Sequence, residues 1–474
     1  MTKLKLTITI ATLLLCSFAI AQKTSQVFES IETHLSDYEG IALEIWDLAE
    51  MGYQEYQSSN LLKTRLESEG FSITTGVAEI PTAFVAEYGS TGPVIGILGE
   101  FDALPGLSQK AVPFKESADA VGGHGCGHHL FGTASLAAAV ALKDWLIKTK
   151  TEGRIRFYGT PAEEGGGAKV YMSRAGLFDD VDVVLHWHPG AANQANEAAA
   201  LANISGKFRF NGVSAHAAGA PERGRSALDA VEAMNYMVNM MREHVPQETR
   251  IHYVITDGGK APNVVPDFAE VYYYSRHPSR DVVRNVFDRI ILAAEGAAKG
   301  TETTMSYEIV NGVHELLPNQ TLQTLVHESL STVGGYTYTA EERAFAEKIS
   351  ESLNRPLDER VANEVAPYRE ASRAYGSTDV GDVSFVVPTV GFGTATWVPG
   401  TSAHSWQAVA AGGTSIGLKG MAVAAKTLAL SGAKLFKNPK IIAKARAEFE
   451  ERRGADFNYR PLLGNRPPAL DYRN

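Results

Sequence analysis

The chain has 474 residues, and 44 Lys and Arg against 54 Asp and Glu leave a formal net charge of −10. Hydrophobic residues at 44% and charged residues at 21% are ordinary globular proportions and exclude a disordered or collagen-like chain. An acidic chain with no Arg/Lys-rich run is a poor partner for nucleic acid, whose phosphates need clustered cations, and at about 150 residues per domain the length allows two or three domains.

The first residues, MTKLKLTITIATLLLCSFAIAQ, place Lys3 and Lys5 before an apolar run from Leu6 to Ile20 and end on Ala19-Ile20-Ala21. A basic start, a short apolar stretch and a small-x-small site read as an export signal over residues 1–21, cleaved after Ala21. The run is shorter than the ~20 apolar residues that span a bilayer. Bulky Leu15 argues against lipidation at Cys16. The expectation is a periplasmic or secreted protein without a membrane partner after cleavage, and no other stretch reads as a span. Of the two cysteines, Cys16 leaves with the leader, so Cys126 has no intramolecular disulfide partner and calls for another role.

Helix-like text runs from about Val27 to Gly70, followed by strands at Thr82–Tyr88 and Val94–Leu98. A long Ala-rich helix, Leu130–Lys150, precedes strand Arg154–Tyr158, helix Ala168–Leu177 and strand Val181–Trp187. Alternating strands and helices predict an α/β, doubly wound domain, in which chemistry collects past the carboxyl ends of the strands. From about Asn203 the order becomes strand Lys207–Asn211, helix Ala227–His244, strands Arg250–Thr256 and Glu270–Ser275, helix Ser279–Lys299 and strand Thr304–Asn311. That β-α-β-β-α-β order predicts an inserted ferredoxin-like domain over residues 203–312. The catalytic domain would be discontinuous, over residues 22–202 and 313–474. It resumes near Pro318 with a helix, a polar segment (Ala340–Arg373), strand Thr389–Thr394, helix Ile416–Leu430 and a tail from Lys434.

Five segments at predicted strand ends are rich in metal-ligand types. They are GEFDALPG with Glu100 and Asp102, GGHGCGHHL with His124, Cys126, His128 and His129, TPAEEGGGA with Glu163 and Glu164, HWHPG with His186 and His188, and GTSAHSWQ with His404. Singly, each has a bland explanation: a surface histidine, acidic residues in a helix's first turn, or a glycine turn. Together, on one expected sheet edge, they predict a site for divalent ions of the Zn/Mn class, which accept imidazole, thiolate and carboxylate. Cys126 and His128 can both point inward only if the backbone between them turns sharply, which the neighbouring glycines allow. Two ions need about five or six donors, and the segments supply that many. A hydrolase also needs a carboxylate beside the metal but not on it. The Glu163-Glu164 pair fits, one to bind and one to carry a proton. The competing GxSxG match at Gly413-Thr414-Ser415-Ile416-Gly417 lacks the strand that should precede a nucleophile elbow.

These motifs resemble the co-catalytic metallopeptidases that include carboxypeptidase G, aminoacylase and the hydrolases of hippurate and auxin conjugates. The GHGCGHH segment is similar to the amidohydrolase branch, and GEFDALPGLSQ, WHPG and HSWQ are closest to hydrolases of p-aminobenzoyl-glutamate. The resemblance implies that Cys126, His128, Glu164, His188 and His404 ligate two divalent ions, Mn or Zn. Within HWHPG, His186 stays open as an alternative to His188. It further implies that Glu163 is the general acid and base, and that Asp102 orients a ligand. In the inserted domain His216 would stabilise the oxyanion, reaching into the site of a partner copy, while Asn263 and Arg276 would hold the substrate carboxylate. The implied function is a metal-dependent amidohydrolase of aroyl- or acyl-amino acids. p-Aminobenzoyl-glutamate is the best single substrate, and a homodimer through the lid-like insert is implied. Alternatives are a dipeptidase, an N-acyl-amino-acid hydrolase, or a non-catalytic binding protein.

Overall fold

A computed structural model of the protein describes residues 26–196, 199–370 and 376–473. The expected leader and Cys16 lie outside the described residues. The helix-like text after it is broken at Ala49, which takes a left-handed backbone (φ 43°) and separates α1 (Leu35–Leu48) from α2 (Tyr56–Ser68).

The larger sheet contains β1 (Ser72–Thr75), β2 (Phe84–Tyr88), β3 (Val94–Gly99), β4 (Arg154–Gly159), β5 (Val183–Leu185) and a late strand described below. Strands β3 and β5 are buried along their whole length, as expected of strands covered on both faces. Helix α3 (His128–Thr149) lies against β3 and β4. It is long and apolar enough to cross a bilayer, contrary to the sequence reading, but 89% of that stretch is buried inside the protein. Helix α4 (Ala168–Arg174) follows β4.

The chain then leaves the sheet and builds β6 (Ala202–Asn211), α5 (Ala227–Met241), β7 (Arg250–Asp257), β8 (Phe268–His277), α6 (Arg280–Gly300) and β9 (Thr304–Val313). These strands form a separate antiparallel sheet in the order β7-β8-β6-β9. Burial alternates along β8, so one face carries Ala269, Val271 and Tyr273 into a core with Phe208, Phe210, Val231, Phe287 and Ile290. The other face is polar: Arg209 there pairs with Glu270 and Glu308. Asn203 at the start of β6 is paired with Val313 at the end of β9, so the two crossings into this unit lie side by side.

The return half brings α7 (Gln320–Val333), α8 (Ala340–Ser352), β10 (Thr389–Val390), α9 (Ser415–Lys437) and α10 (Pro439–Arg453). The segment from Ala340, read from sequence only as polar, opens as a helix fixed by a capping box between Thr339 and Glu342. The larger sheet then has the order β1-β2-β4-β3-β5-β10. It is mixed rather than uniformly parallel, because β1 and β2 run antiparallel at one edge. The single strand expected at Thr389–Thr394 is split at Gly391. There a Cβ would stand 2.2 Å from Cε1 of His186, and the short pair His188–Gly190 with Gly393–Ala395 begins beyond it. Small residues let α9 approach α3, where a Cβ on Gly432 would meet Leu142 at 2.6 Å.

Phe208 is fully buried between Tyr273, Phe287 and Tyr307. Phe208→Ala is expected to lower stability by about 3–5 kcal/mol, read as the shift of a denaturant midpoint, by leaving a cavity under β6.

Candidate metal centre

Strands β3, β4 and β5 run parallel, so the loops after Gly99, Gly159 and Leu185 emerge on one edge. The start of α3 and the loop holding His404 meet them there. Cys126 and His128 do face one site, because Gly127 between them adopts φ 73° and turns the chain into α3. A Cβ on Gly127 would lie 2.8 Å from Pro189, and one on Gly125 would lie 3.3 Å from the Cα of His404. The His404 amide donates to the Gly125 carbonyl at 3.0 Å, and His404 itself is held at φ 58°. A non-glycine residue in this region is strained, and here the strain aims the imidazole at Cys126.

Three sets of donor atoms result among the described residues, one of them made of Glu100, His128 and Glu163. Cys126, His128 and His188 offer donors all within 4.8 Å of one another, as do Cys126, Glu164 and His404. Cys126 belongs to both. His404 Nε2 stands 3.0 Å from Cys126 Sγ and 3.4 Å from Glu164 Oε1. The donor atoms fit a cation chemically. Asp102 can only accept, so His128 gives Asp102 Oδ1 its Nδ1 hydrogen at 2.9 Å and keeps a lone pair on Nε2. His188 likewise donates from Nδ1 to the Pro189 carbonyl at 2.7 Å, leaving Nε2 free. His128 Nε2 and Glu164 Oε1 are buried without a hydrogen-bond partner, as atoms that would ligate an ion must be. Asp102 also accepts the Glu164 amide at 2.9 Å, so one carboxylate orients two donors.

The remaining histidines of the motifs turn elsewhere. His124 hydrogen-bonds the Ile45 carbonyl at 2.9 Å and His129 the Gly412 carbonyl at 3.0 Å. Burial pushes His124 down to about 4. His186 packs its ring against Gly391 and is outside all three donor sets. Ser415 of the GxSxG match opens α9 and donates to Glu342 at 2.6 Å.

Glu163 lies beside the donors: a carboxylate oxygen falls within 4.8 Å of donor atoms on His128 and Glu100. Burial, then the charges of Glu100, Glu164 and Asp379, push its carboxyl well above the usual range. Burial also pushes Glu164 up, but the His404 imidazole 3.4 Å from Oε1 outweighs it and holds that carboxyl down. Two adjacent carboxyls are thus driven in opposite directions, the pattern of one binding and one proton-carrying group. Burial raises the Cys126 thiol far above its ordinary value, so a thiolate there needs a cation close by.

Several supporting residues carried no local signal in the sequence. Glu55 accepts the Ala162 amide at 2.8 Å and the Thr82 hydroxyl at 3.1 Å, bracing Ala162 at φ 55° just before Glu163. Lys169 is fully buried against Glu100 and Asp379. After α10 the tail returns across both sheets. Arg466 donates to the Ile309 and Val310 carbonyls of β9, while Tyr472 and Arg473 donate to the Glu164 carbonyl.

The contacts of His216 and Asn263 stay within the inserted unit. Ala217 donates its amide to the Asn263 carbonyl at 3.0 Å, and both His216 and Asn263 are exposed. Arg276 lies over the Tyr274 ring at 5.2 Å, with its Nε buried and unpaired.

A model of peptidase family M20/M25/M40 matches residues 96–429. The B subunit of the p-aminobenzoyl-glutamate hydrolase from Escherichia coli (strain K12) is 40% identical, over 93% of this chain and 98% of that protein. The chain belongs to peptidase family M20/M25/M40. The Xaa-Arg dipeptidase of Mus musculus is 30% identical over 86% of this chain and 87% of its own. Among solved structures, a dinuclear metal-binding peptidase of the M20 family from Bacillus subtilis superposes with a TM-score of 0.58 at 18% identity, covering 86% of this chain and 99% of that one. An aminobenzoyl-glutamate utilization protein from Klebsiella pneumoniae gives 0.60 at 19%, over 86% and 97%. These two share the fold. As an M20 member the protein is a metal-dependent hydrolase of amide bonds.

Asp102→Asn keeps the shape but loses the acceptor facing His128 or Glu164. It is expected to weaken metal binding about 10- to 100-fold in a chelator competition, with the fold intact by circular dichroism.

Proposed function

We propose that the protein is an exported, two-metal amidohydrolase that splits the amide between an aroyl or acyl group and an amino acid bearing a free carboxylate. p-Aminobenzoyl-glutamate is the foremost substrate, giving p-aminobenzoate and glutamate. The observation that carries this reading is the convergence on Cys126 of two donor sets that leave Glu163 out, while Glu163 stands beside them in a third set with His128 and Glu100. The 40% identity to the Escherichia coli p-aminobenzoyl-glutamate hydrolase supports the choice of substrate. Export rests on the leader read at residues 1–21, and places the protein in the periplasm or outside the cell.

In this reading Cys126, His128 and His188 hold one ion and Cys126, Glu164 and His404 the other. Bound there, divalent Zn or Mn would supply the Lewis acidity that activates water and steadies charge on the carbonyl oxygen. Glu163 takes a proton from the attacking water on a carboxylate oxygen and later delivers it to the departing nitrogen. Asp102 holds the His128 ring and the Glu164 backbone still during the reaction. Asn263 and Arg276 bind the substrate carboxylate, Arg276 as a charged donor.

Residues 203–312 act in this reading as a ferredoxin-like lid on a catalytic domain formed by residues 22–202 and 313–474, hinged at the paired crossings Ala202-Asn203 and Gly312. His216 accepts the Ala218 and Gly219 amides on Nδ1, at 3.2 and 3.0 Å, so its hydrogen sits on Nε2. An exposed imidazole with a fixed Nε2 donor suits an oxyanion presented by a second copy. Support for a homodimer comes from β7, an edge strand exposing Tyr253, Val254 and Ile255. Long, apolar edges of this kind ordinarily need covering.

A second reading, a dipeptidase, is favoured by the 30% identity to Xaa-Arg dipeptidase. Release of free aromatic amine from p-aminobenzoyl-glutamate, beside a panel of acyl-amino acids and dipeptides ending in Arg, separates the two. No turnover on any of them at full metal occupancy would leave a binding protein instead. Glu163→Gln is expected to lower kcat by about 10²- to 10⁴-fold with metal content unchanged by elemental analysis. Ile255→Asp is expected to give a monomer in sedimentation with metal retained and turnover lost. A monomer with full turnover would reject the role of His216 across an interface.

A further inference from the structure

Glu100 follows β3 directly and is 1% exposed. Its two carboxylate oxygens have different surroundings. Oε1 takes the ammonium of Lys169 at 2.8 Å. Lys169 is itself gripped by Asp379, which accepts from Nζ at 2.7 Å and from the Lys169 amide at 3.0 Å. Oε2 makes no hydrogen bond and faces Nε2 of His128 at 3.1 Å. That nitrogen is the lone pair left when Asp102 takes the Nδ1 hydrogen.

Two such atoms 3.1 Å apart in a buried site repel each other unless a proton or a metal cation lies between them, and this pair makes no hydrogen bond. The distance also suits the purpose. Donors about 2.1 Å from a shared ion stand about 3.0 to 3.4 Å apart at the usual ligand angles. The separations of His404 Nε2 from Cys126 Sγ and Glu164 Oε1, 3.0 and 3.4 Å, are of the same kind. Charge points the same way. With Glu163 neutral, Glu100, Asp102, Glu164 and Asp379 contribute four negative charges and a Cys126 thiolate one more, against a single ammonium from Lys169. Two divalent ions bring the balance from −4 to zero.

We infer that Glu100 is a sixth donor of the cradle, sharing an ion with His128, and that Lys169 and Asp379 are positioning residues that fix its carboxylate. With one oxygen tied to a buried ammonium, the carboxylate cannot rotate both oxygens onto the ion, so it binds through Oε2 alone. This rests on the two-ion reading given above, but its test uses no substrate.

Metal content of the dialysed full-length protein, measured by elemental analysis, and affinity for Zn, measured by chelator competition, are compared in wild type, Glu100→Gln and Asp102→Asn. Glu100→Gln is expected to retain about one ion per chain, with affinity for the second reduced by more than about 100-fold, beyond the loss from the outer-partner change Asp102→Asn. If Glu100→Gln does not fold, Glu100→Asp keeps the charge beside Lys169, withdraws the oxygen by one methylene, and is expected to lose the same ion. In Zn-loaded wild-type crystals the anomalous map is expected to show Glu100 Oε2 within about 2.3 Å of an ion. Two ions held by Glu100→Gln with wild-type affinity, or an oxygen more than about 3 Å from both ions, overturns the role of Glu100 alone. A wild-type protein that binds no ion overturns the cradle and Glu100 with it.

Discussion

Carboxylates crowded out of water at one edge of a sheet are the condition to which the rest of this molecule responds. Glu55, Glu100, Asp102 and Asp379 sit almost wholly within the protein with the Cys126 thiol, and Glu163 and Glu164 are half-buried beside them. Buried negative charge of this density is tolerated only when each group is neutralised, protonated or paired. Every route is used. Asp102 spends its two oxygens on His128 and the Glu164 amide, Asp379 grips Lys169, and Glu163 is driven toward its neutral form. What is left over is a set of lone pairs on Cys126, His128, Glu164, His188 and His404 that share the space an ion would fill.

The backbone achieves this by steric exceptions concentrated in the loops. Gly127 turns in the left-handed region so that residues on either side of it face the same way. Ala162 and His404 adopt positive φ without being glycine. Each is over-determined by neighbours: Ala162 by the Glu55 carboxylate, His404 by the Gly125 carbonyl. Rigid parallel strands behind them, buried on both faces, supply the fixed platform. The strain is local and the support is not, which is how a loop can hold a donor within a few tenths of an ångström.

The two units meet this site differently. The larger sheet owns the donors. The inserted sheet presents its own polar histidine, asparagine and arginine from exposed or partly exposed positions, and its two crossings are neighbouring paired strands. The tail after α10 touches both, lodging Leu462 in the inserted core and setting Tyr472 and Arg473 against the Glu164 carbonyl. The loop that carries Glu163 and Glu164 is therefore packed from below by Glu55 and from outside by chain more than 300 residues away.

Much of this was legible before any coordinates. The β-α-β-β-α-β order and five motifs rich in His, Cys and carboxylate are local patterns, and local patterns survive in a sequence. They named the residue types, the edge where they would gather, and Glu163 beside Glu164. The capping box at Thr339 and Glu342 was equally available as a helix signal within the segment read only as polar. Tertiary structure alone decided which candidates face inward: His188 joins a donor set while His186 rests on Gly391, and His124 and His129 turn to backbone carbonyls. It alone paired Lys169 with Asp379 across 210 residues, giving Glu100 one occupied and one free oxygen. The reason is physical. A motif records which atoms a loop can offer, whereas the direction each side chain takes depends on desolvation and charge imposed by parts of the chain far away in sequence.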